Sequence, residues 1–448
     1  MTFGKSVKHQ NLKSTQHHKP LINKIGLMGP FGGGNLGDAA IQQSAIANFR
    51  RLNPDLDIWG FSIKPLDTQA RHNIPTYPLN KTANALNYAW WRGDERSLTS
   101  GLTTWLNYKR KNPHRHLLAK IIQKFVAIGL ETTAWWRAYR HFKQQKFDLL
   151  IVSGGGQLDD YWGGAWNHPF TLLCWGIIAK LSGSKFLLVS VGAAPINQLL
   201  SKLFTRITLS LADYRSYRDA ESKAYIESIV GFQHDDPVYT DLAFSLPTES
   251  YSSLPTSQSI IGIGVMSYCH PQFWPQKDPQ VYTNYLHKLA DFGLWLVQQG
   301  HTLAIFPGQV EHDAMAIADF QELLQHRNVP QSQILLPSIA TVDELIQQLL
   351  ATKIVVASRF HGVLLSLLVH KPVLALSYHP KIETLMANTG QSQSCFDIEE
   401  FELETIKNQF RAIANRQEEI VEQLAAKTQL YKSALTQQYE YLFSQFRS

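Results

Sequence analysis

Short apolar runs bounded by glycine or polar residues alternate with longer stretches of helical period along most of the chain. Lys24-Ile25-Gly26-Leu27-Met28-Gly29 predicts a buried strand. A glycine-rich turn follows, then a helix from about Ala39 to Arg51 and a second strand at Ile58–Ile63. Residues 75–145 break that rhythm with Trp90, Trp91, Trp105, Trp135 and Trp136 among many basic residues, which predicts a helical insertion. The alternation resumes with a strand at Phe147–Ser153, a helix at Pro169–Leu181 and a strand at Lys185–Val191. A helix at Leu199–Ala212, a strand at Tyr214–Tyr217 and a helix from Ala220 follow. The Ser/Pro/Thr-rich stretch from Leu246 to Ser257 divides the chain.

The second half alternates more regularly. Strands are expected at Ile260–Val265, Thr302–Phe306, Ile334–Leu336, Ile354–Ala357 and Val373–Leu376. Helices are expected at Gln280–Gln299, Ala314–Gln325, Val342–Leu350 and Gly362–Val369. From Glu399 to Phe446 the chain turns polar, with Ile413, Ile420, Leu424, Leu430 and Leu435 at helical spacing. The expectation is an α/β protein of two doubly wound, Rossmann-like lobes. They span residues 24–250 and 258–395, after a basic tail at 1–23 and before closing helices at 396–448.

Composition narrows the function classes. A length of 448 residues favours two cores, and the 44% apolar share is that of a folded protein. The net charge of +6 suits an anionic small substrate without demanding nucleic acid, and no nucleic-acid-binding motif is evident. Cys174, Cys269 and Cys395 form no CxxC pair, so neither a disulfide framework nor a zinc site is indicated. The polar, basic N-terminus lacks the apolar core of a secretory signal, and the apolar stretches are interrupted by lysines. A cytoplasmic protein is expected.

Three motifs carry candidate chemistry. Gly32-Gly33-Gly34-Asn35-Leu36-Gly37-Asp38 contains GxGxxG, but Lys64 stands where a ribose-binding acid belongs, which argues against a dinucleotide. What remains is a turn offering backbone amides at a helix N-terminus, with Asp38 either a cap or a base. Ser153-Gly154-Gly155-Gly156-Gln157-Leu158-Asp159-Asp160 follows a strand, where glycines allow close approach of a ligand. Ser358-Arg359-Phe360-His361-Gly362 sets a guanidinium and an imidazole at a strand's carboxyl end, and alternation points Arg359 and His361 the same way. Such a pair can clamp an anion and move a proton. Tyr217-Arg218-Asp219 supplies a second candidate clamp, and Glu311-His312-Asp313 opens a helix.

Together with Asp241-Leu242-Ala243-Phe244 and the run from Ser358 through Pro372–Tyr378 to Pro380-Lys381, these blocks resemble the polysaccharide pyruvyl transferases. The resemblance runs from about residue 24 to 390. It implies a fold similar to two-lobed GT-B-type glycosyltransferases, with the site in the cleft. It also implies transfer of a pyruvyl group from phosphoenolpyruvate to a sugar as a ketal, with no cofactor or metal. The family's Arg-x-His motif maps onto Arg359 and His361, and its first-lobe arginine onto Arg218. Expected catalytic residues are His361, Arg359 and Asp38. Expected binding residues are Arg218, Asn35, Gly37, Gly154, Gly155, Gly156, Ser358, His312 and Lys381. His379 departs from the family, which commonly has an acid before the Pro-Lys. Expected partners are phosphoenolpyruvate and a saccharide, in a lipid-linked case with peripheral contact at the inner membrane face. The competing readings are a nucleotide-sugar glycosyltransferase and a non-catalytic sugar- or anion-binding relative.

Overall fold

The computed structural model describes residues 22–29, 31–79, 132–161, 163–231, 235–251, 259–272, 274 and 276–446. The N-terminal tail to residue 21, Trp90, Trp91, Trp105 and most of the 75–145 insertion lie outside the described residues.

The first sheet comprises β1 (Lys24–Met28), β2 (Asp57–Ser62), β3 (Thr76–Pro78), β4 (Leu149–Ser153), β5 (Gly156–Leu158), β6 (Lys185–Ala193) and β7 (Tyr214–Tyr217). Its order is β3-β2-β1-β4-β6, with β5 and β7 both pairing with β6. The second sheet comprises β8 (Ile260–Val265), β9 (Thr302–Pro307), β10 (Ile334–Leu335), β11 (Ile354–Ala357), β12 (Val373–Ser377) and β13 (Cys395–Asp397). Its order is β10-β9-β8-β11-β12-β13. Every pairing is parallel. Strands such as β4 (LLIVS) and β11 (IVVA) are buried throughout, so they read as continuous apolar runs rather than alternating ones. In each sheet the strand order reverses beside the first strand, the place at which open α/β sheets receive ligands.

Helices cover both sheets. In the first lobe they are α1 (Leu36–Leu52), α2 (Pro65–His72), α3 (132–145), α4 (His168–Leu181), α5 (Leu199–Leu211) and α6 (Ala220–Val230). Trp135 on α3 meets Trp175 of α4 edge-on at 5.8 Å between ring centres. The second lobe holds α7 (Pro279–Gln298), α8 (Val310–His326), α9 (Val342–Ala351), α10 (Phe360–Leu368) and α11 (Pro380–Asn388). Thr341 and Glu344 start α9 with a reciprocal capping box.

α12 (Leu403–Asn415) and α13 (Gln417–Gln445) complete the chain. α13 returns to the first lobe and packs on α1 and on the 3₁₀ turn Leu242–Ser245. There Gln438 is fully buried: it donates to Ser216 Oγ at 2.6 Å and accepts from Ser190 Oγ at 3.1 Å. Tyr439 meets Phe49 edge-on at 5.1 Å.

The expected helix start at Ala39 is three residues late. Asn35 is the N-cap of α1: its side chain accepts from the amides of Gly37 (3.0 Å) and Asp38 (3.4 Å). Asp38 therefore does not cap this helix. Gln309, rather than Asp313, likewise caps α8 by accepting from the His312 amide.

Candidate functional site

The lobes are sewn together at the first glycine run. Leu36 N donates to Gly308 O (3.2 Å), Val310 N to Gly34 O (2.9 Å) and Gln309 Nε2 to Gly33 O (2.6 Å). Lys64 adds an ion pair to Glu311 at 3.0 Å. With Leu36 N tied to the second lobe and the next two amides tied to Asn35, the first turn of α1 is already satisfied. This corrects the expectation that its amides serve an anion. Gly37 has a different use: a Cβ there would fall 2.0 Å from His361 Nδ1. Only a glycine lets the imidazole of the second lobe seat against the first.

The chemistry gathers just beyond that seam. Arg218 leaves the end of β7 with 8% of its side chain exposed, so it is not the surface ion pair its sequence suggests. Its Nε donates to Asp219 at 3.2 Å, its Nη1 lies 3.7 Å from Asp241 Oδ2, and it lies 4.9 Å from the centre of the Phe360 ring. A Cβ at Gly192 would strike this guanidinium at 2.3 Å. Lys381, in the first turn of α11, sits 5.8 Å from the same Phe360 ring and 5.4 Å from that of Tyr378. A cation from each lobe thus flanks one aromatic face.

Asp38 lies within the field of both and accepts from Asn35 Nδ2 at 2.7 Å. Burial first, and Asp241 second, raise its pKa to about 7 against the pull of Lys381 and Arg218. The Gly154-Gly155 turn, at φ 59° and 72°, makes room beside it. A Cβ on Gly155 would come within 4.0 Å of Asp38 Oδ1, and Gly156 is open to solvent. Asp159, two residues past Gln157, is also raised by burial, with Lys381 and Arg218 opposing.

His361 Nε2 stands 3.9 Å from Asp241 Oδ2. Both atoms are buried and neither makes a hydrogen bond among the described residues. Paired orphans of this kind mark a place where polar ligand atoms are received. Burial, with Arg218 and Lys381 adding, lowers the His361 pKa to about 4 despite Asp241. Its ring is therefore neutral near pH 7, and a weak base there.

Arg359 does not join this group, contrary to the alternation expected of it. It occupies the N-cap position of α10, and its guanidinium turns to Asp313, with Nε to Oδ2 and Nη2 to Oδ1 both at 2.6 Å. Asp313 is fully buried and also accepts from the amides of Gly308 (3.0 Å) and Gln309 (2.8 Å). The fork pairs with the carboxylate that fixes the loop forming the inter-lobe seam. Ser358 is buried behind it, 3.3 Å from Tyr285 Oη, and His312 lies exposed beside Arg359, its pKa lowered by burial and that charge. Neither is brought to the Asp38–Arg218–His361–Lys381 group.

Asp241 and Asp159 belong to the site although the sequence reading did not select them. The signal for Asp241 was its place at the head of an apolar block with no helical period, where a carboxylate must cap a tight turn. It does so by accepting from Ala243 N at 3.0 Å. The departure at His379 also resolves. His379 Nδ1 accepts from Lys381 N at 3.2 Å, the role an acid would fill at the start of α11. A pKa lowered to about 4, by burial and then by Lys381 and Arg218, keeps that nitrogen able to accept.

His72, His168, His361 and His379 all have pKa values lowered to about 4. The unfolded chain protonates them below about 6.5, the folded chain only near 4, so their contribution to stability is lost as pH falls through that window. Asp38 and Asp159, both raised, act in the opposite sense, but two carboxyls face four imidazoles. The melting temperature is expected to fall steadily from pH 6.5 to 4.5, which calorimetry at fixed ionic strength can check.

Comparisons with known proteins agree with this architecture. No curated protein matches the sequence. Among solved structures, the S. aureus MnaA–UDP co-structure superposes with a TM-score of 0.53 at 10% identity, covering 92% of this chain and 93% of that one. UDP-GlcNAc 2-epimerase from Neisseria meningitidis bound to UDP-GlcNAc gives 0.53 at 12% identity, covering 93% and 100%. The spinosyn rhamnosyltransferase SpnG gives 0.50 at 10% identity, covering 93% and 99%. These similarities establish a GT-B-type fold of two α/β lobes. The sequence model of polysaccharide pyruvyl transferases matches residues 35–380, from the Asn35 cap of α1 to the start of α11, and so takes in every cleft residue described except Lys381, which directly follows. This chain therefore belongs to the polysaccharide pyruvyl transferase family.

Proposed function

We propose that the cleft transfers the pyruvyl group of phosphoenolpyruvate to two hydroxyls of one sugar in a polysaccharide or its precursor. The observation that carries this reading is a pair of cations, Arg218 and Lys381, held from opposite lobes beside Asp38, a carboxyl whose pKa is about 7.

Phosphoenolpyruvate brings a carboxylate and a phosphate, which match the two cations. Asp38 in its protonated form gives its proton to the methylene carbon, leaving cationic character on the carbon that bears the phosphate. Both sugar hydroxyls bond to that carbon and the carbon–phosphate oxygen bond breaks, so a cyclic ketal and inorganic phosphate leave. One hydroxyl proton replaces that lost by Asp38 and the other departs with phosphate. A group with a pKa near working pH can both give and receive a proton. Neutral His361, its Nε2 3.9 Å from Asp241 Oδ2, offers a polar ring atom that orients an acceptor hydroxyl. Arg218 and Lys381 stabilise the leaving phosphate electrostatically.

Phosphoenolpyruvate is expected to raise the melting temperature of the wild-type protein and to leave Lys381→Ala unmoved. At a hundred times Kd, stabilisation is about 2.7 kcal/mol. A shift with UDP-GlcNAc and none with phosphoenolpyruvate would instead make this a nucleotide-sugar enzyme. Binding with no phosphate release from a sugar-supplemented mixture would make it a binding protein.

A further inference from the structure

Beside the cleft the first lobe presents a face that the chemistry does not use. α5 buries Ser201, Phe204, Thr205, Thr208 and Leu209 against the lobe. At about 100° per residue, Leu199, Leu203 and Ile207 then fall on the outer side as one stripe. They are exposed, Leu199 by 84% of its surface. Lys202 and Arg206 form the adjoining stripe. Next to it, α4 packs on α5 and exposes Ile177 and Leu181, one helical turn apart.

The charge around this face is one-sided. From residue 161 to 212 the sequence has no Asp or Glu, although the chain's overall acid content would place about four there. The same span holds Lys180, Lys185, Lys202 and Arg206. Of the acids that bound this span, Asp160 is taken up by the amides of Asn197 and Gln198, and Asp213 pairs with Lys180 at 2.8 Å and Lys185 at 3.4 Å. Exposed leucines beside a stripe of cations, on a helix that carries no acid of its own, are the make-up of a helix that lies in an anionic membrane surface. No described helix is long and apolar enough to cross a membrane.

We propose that α5, supported by α4, docks the protein onto an anionic lipid bilayer. Charge complementarity selects this occupant over a neutral apolar partner. The face is also tied to the cleft. Asp160 accepts from the amides of Asn197 and Gln198, immediately before Leu199, and its neighbour Asp159 lies within the field of Arg218 and Lys381. A docked α5 therefore places the cleft mouth at the membrane, where a sugar carried on a lipid anchor would reach it. That consequence rests on the proposed activity; the docking does not.

The test is sedimentation of the full chain with phosphatidylcholine vesicles, alone or with one quarter phosphatidylglycerol. Binding is expected only with the anionic vesicles, and it should weaken with added salt. Lys202→Glu/Arg206→Glu should bind at least about tenfold more weakly. Leu199→Glu/Leu203→Glu should lose binding without a change in melting temperature. No sedimentation of the wild type, or sedimentation that survives both double variants, overturns the proposal. So does light scattering that shows a dimer dispersed by Leu199→Glu/Leu203→Glu, which would make this face a contact between copies of the chain.

Discussion

Asp38→Asn is expected to lower turnover by about 10²–10⁴-fold, the usual worth of a positioned proton carrier. Asparagine keeps the shape and can still meet Asn35, so the fold around α1 should stand. The pH–rate profile carries a second signature. Wild-type activity should titrate near the pKa of about 7 assigned to Asp38, and that limb should disappear in the variant. Stability should move the other way. A carboxyl whose folded pKa exceeds its unfolded one favours folding below the unfolded value and opposes it as pH rises through the folded value. A neutral amide at this position escapes the penalty, so Asp38→Asn should melt higher than wild type at pH 8, with the gap closing toward pH 4. Equal loss of stability at every pH would reduce Asp38 to a structural group.

Asp313→Ala is expected to destabilise the protein by about 3–5 kcal/mol, because it strands a largely buried guanidinium and three amides at once. Urea unfolding would read this directly. Arg359→Ala leaves the fully buried Asp313 carboxylate unpaired and should cost a similar amount. The double variant should cost less than the sum of the two, since each single change includes the penalty of an orphaned partner. The comparison separates two roles for Arg359. If its work is to hold Asp313, Arg359→Ala lowers stability first and ligand binding only as the seam loosens. If its work is to hold a ligand, binding vanishes while the unfolding curve stays put.

The parallel strands were legible because burial on both faces leaves nothing but apolar residues: Ile260–Val265 and Ile354–Ala357 occur as read. Helix starts were less so. Gly37 and Asp38 look like turn residues, and only the bonds to Asn35 show that α1 has already begun. In the site, Asp38, Arg218, His361 and Lys381 stood out as motif residues. The partner of Arg359 did not, since Asp313 lies 46 residues away and no local pattern signals a pairing at that distance. The tie of the glycine run to the other lobe was hidden for the same reason: Gly33 O and Gly34 O accept from Gln309 Nε2 and Val310 N, and Leu36 N donates to Gly308 O.

The return of α13 to the first lobe bears on how the chain is made. Gln438 joins β6 to β7 through Ser190 and Ser216, and Tyr439 closes over Phe49. The first lobe is thus a discontinuous folding unit, its early strands completed by a helix that is made only after the whole second lobe. At about 5–20 residues per second, the roughly 200 residues between β7 and Gln438 take tens of seconds at the slow end. During that interval the nascent first lobe carries an uncovered seam over α1, and the ribosome and its chaperones are the surfaces nearest to it.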